Sequence, residues 1–214
     1  SREEARRLVD YAQRLAGSDE GLGRLVAAEH VRLGSPDKAV EALGRLAARR
    51  PRDLGLRLDL ARLAHASGRG DAALRALAEA RRLCARAEDL RLLAEAYRDV
   101  GETRRAARLL TALAASGNEG DLAELARLHM TMREYDRSLR LLDELVFRSP
   151  ENARWRNDRA ITLAFLGRKE EAIVELRLAL AKDPGMRSAA QSLAALLSST
   201  GQLVIDPDRT KPPR

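Results

Sequence analysis

Small residues recur in step along this chain, and that recurrence constrains it more than any other feature. Ala39, Ala73, Ala106 and Ala172, with Ser138 in the slot between, follow one another at 34, 33, 32 and 34 residues. A second set, Ala27, Ala61, Ala94, Ala126 and Ala160, keeps the same spacings. Glycine recurs in register at Gly34, Gly68, Gly101 and Gly167, with Arg133 in the remaining place. One alanine would mean nothing. Five slots in step mean stacked copies of one small unit.

The clearest copy spans residues 152–185: two amphipathic stretches, a turn at Gly167 and a stop at Pro184. Small residues belong where two antiparallel helices cross closely, glycine permits the turn, and proline cannot continue a helix. Pro51 and Pro150 end two other copies, while Ala85 and Asn118 replace proline in the middle ones. Ser35-Pro36 reads as a helix start, Asp53 reads as a cap, and Asn152 opens the clearest copy. The second stretch of the unit after Asp53 is predicted to run over 71–86, and the last helix over 187–199. No segment alternates as a half-buried strand would. Composition agrees: 45% of residues are hydrophobic but only 3% aromatic, a Leu- and Ala-rich supply that favours closely packed helices.

This pattern resembles the tetratricopeptide repeat family, whose units are helix-turn-helix pairs of about 34 residues. The resemblance covers five full units, 20–53, 54–86, 87–118, 119–152 and 153–186. Tyr97 matches the aromatic expected late in the first helix, but His30, Ala64, His129 and Leu163 replace it elsewhere, and Trp155 sits one place before the usual tryptophan. The two shortened units are expected to carry local irregularities. Residues 1–17 read as the second helix of a preceding unit, 187–201 as a terminal half unit, and 202–214, with three prolines, as an extended or disordered tail. The chain reads as a segment of a longer protein. The implied fold is all-α, a right-handed superhelical solenoid of antiparallel helix pairs with about 12 helices.

The net charge is +7, carried by 35 Arg against 4 Lys, which favours acidic partners. The arginines are mostly interspersed with Asp and Glu at helical spacing, as solvated faces are. Cys84 stands alone, so there is no intrachain disulfide framework. No apolar run is long enough to span a bilayer, so membrane contact is expected only through parts of the protein outside this segment. His30, His65 and His129 fall in three different units, never at a ligand spacing, and no carboxylate pair or nucleophile-base arrangement stands out. The expectation is a protein that is not an enzyme, with no catalytic residues, no metal and no cofactor.

In the resembling family, the second, fifth, ninth and twelfth residues of each unit line a concave groove. Carried over, this places Leu58, Arg62, His65, Arg91, Glu95, Arg98, Arg127 and Met130 as partner-binding residues. The arginines form a basic centre partly offset by Glu88 and Glu95, suited to the carboxylates of an acidic protein segment. The Lys and Asn clamp of chaperone-binding members is absent at these slots. Arg49, Arg50 and Arg52, then Arg81, Arg82 and Arg86, then Arg104, Arg105 and Arg108 form a second basic surface on second helices. No stacking aromatics accompany it, which disfavours nucleic acid. The resemblance implies a protein-protein interaction scaffold, with periplasmic exopolysaccharide-export scaffolds and cytoplasmic assembly factors as settings; the alternative is an accessory module that recruits a modifying enzyme or contacts a glycan.

Overall fold

The structure, a computed structural model, describes residues 2–17 and 19–198. The expected tail over 202–214 and the end of the last helix lie outside the described residues. Among those described, every regular element is helical. Twelve helices follow in order: α1 (Arg2–Leu15), α2 (Glu20–Arg32), α3 (Pro36–Arg49), α4 (Leu54–Ala66), α5 (Gly70–Leu83), α6 (Ala87–Asp99), α7 (Thr103–Ala114), α8 (Glu119–Thr131), α9 (Tyr135–Arg148), α10 (Ala153–Phe165), α11 (Lys169–Lys182) and α12 (Arg187–Leu197). The fold is all-α. The described residues form two compact units that divide between Leu109 and Leu110.

Within each unit the packing is pairwise and local. In the first, α2 packs on α3 and α4 on α5; in the second, α8 packs on α9 and α10 on α11. The recurrent small residues sit at these crossings: Ala39, Ala61, Ala73, Ala106, Ser138, Ala160 and Ala172 are all essentially fully buried. Around them the first unit buries Val26, Leu43, Leu46 and Leu56. The second buries Leu163, Leu176 and Ala179. Burying Leu against Ala gives each pair its apolar seam while keeping the helix axes close.

Local chemistry sets the helix limits. The side chains of Asp19, Asp53 and Asn118 accept hydrogen bonds from the amides of Leu22, Leu56 and Asp121 at 2.9, 3.0 and 3.1 Å. Each satisfies a donor that the first turn of a helix leaves free. At the other end, Gly34, Gly68, Gly101 and Gly167 take φ between 70° and 81°, the left-handed region open to glycine at little cost.

The expected second helix over 71–86 is corrected. The helix α5 ends at Leu83, and Cys84 and Arg86 are extended. Here Asp89, in the first turn of α6, reaches back: its carboxylate accepts the amides of Ala85 at 3.2 Å and Arg86 at 3.0 Å. Those amides bond forward to Asp89 instead of closing another helical turn.

Candidate partner-binding surface

The first helices of the repeats carry most of the sequence-predicted site. In the first unit α4 lies beside α6, and charged side chains run across the row. Arg24 of α2 pairs with Asp59 of α4 and with Glu20 at 3.0 Å. Arg62 stands between Asp59 at 3.8 Å and Asp99 of α6 at 2.8 Å. Arg98 meets Asp99 at 3.6 Å and Glu95 at 3.8 Å, while Arg91 meets Glu88 at 3.6 Å. In the second unit Arg127 pairs with Glu124 at 2.7 Å, and Met130 Sδ receives the Thr162 hydroxyl of α10 at 3.2 Å.

These arginines therefore do not form an uncompensated basic centre. Each has a carboxylate within pairing distance, and the partners go beyond the Glu88 and Glu95 that sequence pointed to. Asp59 and Glu124 sit three residues before an arginine on the same helix, an ion-pairing spacing visible in sequence. Asp99 comes from the neighbouring helix, and nothing in the local sequence of Arg62 marks it.

Exposure divides the predicted residues. Arg62, Arg91, Arg98, Arg127 and Met130 are half-buried, and His65 and Glu95 are exposed. Leu58 is a correction: at 3% exposure it belongs to the interior and offers a partner no surface. Ala123 and Asn157, which fill the same fifth slot, are also buried, whereas Arg24 and Arg91 at that slot are half-buried. Only a long side chain carries its polar end out from this position.

The remaining candidates settle into structural roles. His30 is buried, with Nε2 3.0 Å from Gln13 Oε1 and 3.7 Å from Asp10; burial pushes its pKa below the usual histidine value despite Asp10. His129 Nδ1 lies 2.7 Å from Glu134, a contact that lowers the Glu134 pKa. The Cys84 thiol is half-buried and donates toward the Ala80 carbonyl at 3.4 Å; burial raises its pKa. Tyr97 is buried with Arg105 5.9 Å from its ring. Among the described residues, no three His, Cys, Asp or Glu side chains converge where a metal ion could sit. No helix there is long and apolar enough to cross a membrane.

Paired helices with small residues at each crossing, glycine turns and capped starts define a helical-repeat protein. Two family models, both described as tetratricopeptide repeat, match residues 30–83 and 123–187, together more than half of the chain. The chain belongs to the tetratricopeptide repeat family. A 68-residue stretch is 41% identical to the TPR repeat-containing thioredoxin TTL4 of Arabidopsis thaliana, covering 32% of this chain and 10% of that relative. The match thus spans a tenth of the relative's length. Among solved structures, the MamA protein superposes with a TM-score of 0.55 at 18% identity, covering 79% of this chain and 93% of that one. YrrB, a TPR protein with an unusual peptide-binding site, gives 0.54 at 12% identity, covering 86% and 96%. At these identities the likeness is one of fold.

Proposed function

We propose that this chain is a non-enzymatic docking module that receives a segment of a partner protein along the first helices of its repeats. The contacts are Arg62, His65, Arg91, Glu95 and Arg98 in the first unit, and Arg127 and Met130 in the second. One observation carries the reading: half-buried arginines line the adjacent first helices α4 and α6 of the first unit, each held by a carboxylate that an incoming carboxylate can replace. Such exchange is inexpensive, because a pair at this exposure is worth only about 0–1 kcal/mol. The planar guanidinium re-forms the same charge-assisted hydrogen bonds with the newcomer. An acidic segment therefore fits without rearrangement of the helices. The peptide-binding site of YrrB supports a peptide ligand on this fold. In a larger assembly, such as the export scaffold expected from sequence, the module would hold two components together.

The test is binding to an array of acidic, neutral and basic peptides, with Arg62, Arg91, Arg98 and Arg127 changed to Gln. Selective weakening of the acidic peptides is expected. Binding that is unchanged by all four substitutions would overturn this reading.

A further inference from the structure

The positive charge of this protein is unevenly distributed. Residues 1–109 contain 23 Lys and Arg against 17 Asp and Glu, while residues 110–214 contain 16 against 15. The first unit thus holds nearly all of the excess, although the arginines of its first helices are paired. Four of these six excess charges lie on two second helices, α5 with three arginines against Asp71 and Glu79 and α7 with three against none. On α5, Arg75, Arg81 and Arg82 are exposed, and on α7 so are Arg104 and Arg108. None of the five side chains has a hydrogen bond or ion pair among the described residues. Of the two carboxylates on α5, Glu79 is engaged by Arg57 at 2.9 Å.

Two further features set α7 apart. It contains three arginines and no acid. The other second helices α3, α5, α9 and α11 each carry Asp or Glu in the first turn, where the helix dipole favours a negative charge. In α7 that turn holds Arg104 and Arg105, so folding gains nothing from Arg104 there. Arg75 and Arg108 also occupy the same slot of successive repeats, two residues after the buried Ala73 and Ala106. Arg140 fills that slot after Ser138 in the second unit and is likewise exposed. Beside the arginines of α5, Ala78 is small and exposed, so a chain can lie close to the helix.

We infer that the outward face of α5 and α7 is a second docking surface, specific for an acidic polypeptide segment. A polypeptide fits better than a nucleic acid for two reasons. No aromatic side chain lies on either helix to stack a base, the contact on which single-strand binders rely. On α5 the arginines also stand near Asp71, which repels a uniformly charged phosphate backbone but can be avoided by spaced carboxylates. This surface does not depend on the first-helix reading, and the two can fail separately.

The test uses a fluorescein-labelled peptide of alternating Glu and Ala, read by fluorescence anisotropy, on the protein with Arg62, Arg91, Arg98 and Arg127 changed to Gln to remove the first-helix contacts. Binding is expected to persist, and adding Arg75→Glu, Arg104→Glu and Arg108→Glu is expected to weaken it at least tenfold. Circular dichroism is expected to show unchanged helicity, since these side chains hold nothing in the fold. Loss of binding with the four first-helix Gln substitutions alone would overturn the second surface while leaving the first-helix reading intact. Binding that survives the outer charge reversals would also overturn it. Tighter binding of a single-stranded or duplex oligonucleotide of equal charge would overturn the polypeptide assignment.

Discussion

Arg133 and Gly167 fill the same turn slot in consecutive repeats, at φ 60° and 78°. Among the described residues Arg133 is the one non-glycine with a left-handed backbone. The α8–α9 turn thus adopts the glycine geometry without glycine. A Cβ in this region costs roughly 1–2 kcal/mol, partly offset by the smaller conformational entropy that arginine loses. Arg133→Gly is expected to stabilise the protein by about 0.5–1 kcal/mol, read as a higher urea midpoint. Gly167→Ala is expected to cost about 1 kcal/mol. Equal midpoints for all three proteins would show that the turn relaxes.

A second relationship breaks the apolar rule of the repeats. Glu175 of α11 is buried and accepts from Arg159 at 2.9 Å and Arg156 at 3.3 Å; Arg159 also reaches Asp143 of α9 at 2.7 Å. Removing the carboxylate leaves two guanidinium groups facing each other in a partly dry site. Glu175→Ala is expected to cost about 2–3 kcal/mol, less than a fully buried pair because Arg159 retains some water. Arg156→Ala is expected to cost less than half of that. Chemical denaturation of the three proteins checks the order.

What sequence made legible follows from what each slot requires. The small crossings and glycine turns are demands of the backbone, so they print as a period, and Ala39 or Gly101 could be read without a structure. The end of α5 could not, because Ala85 and Arg86 are good helix formers and Asp89 reaches back from the following helix to stop them. The site divides in the same way. Arg62 and Arg98 are legible from repeat register, but Asp99 meets Arg62 only because α4 and α6 lie side by side. Glu175 occupies the slot of Ala42 and Ala76, and no period predicts a carboxylate there.

The docking of α1 should depend on pH through His30. Burial against α1 lowers its pKa below the model-peptide value of about 6.5. The groups facing it are Asp10 and Gln13 from α1, and Lys38, Glu41 and Arg45 from α3. Since the unfolded chain takes up this proton more readily, stability is complete above pH ~6.5 and falls as pH drops toward the lower folded value. Asp10 shifts the same way, chiefly through its hydrogen bond to Lys38, but that contribution is lost only in more acidic solution, as pH falls from the ordinary carboxylate value through its lower folded value. Thermal melts from pH 7.5 to 5 are expected to show a falling midpoint, with His30→Phe removing most of the slope. A slope that persists in His30→Phe would assign it to another group.

Asn157 presents the opposite case to Glu175, a polar residue buried without compensation. It is fully buried, and neither its amide nitrogen nor its oxygen has a hydrogen-bond partner. In the first unit the equivalent slot holds the buried Leu58, whose side chain has the same branched four-atom shape as that of Asn. An unsatisfied buried amide costs about 1–3 kcal/mol, and an apolar replacement of similar shape removes that cost. Asn157→Leu is therefore expected to raise stability by about 1 kcal/mol. The reciprocal Leu58→Asn is expected to cost about 2–3 kcal/mol, combining lost apolar burial with a new unsatisfied amide. Both changes are read from urea midpoints at constant slope. A drop for Asn157→Leu comparable to that for Leu58→Asn would mean that the amide has a partner in solution, such as a buried water bridging it to the neighbouring helices.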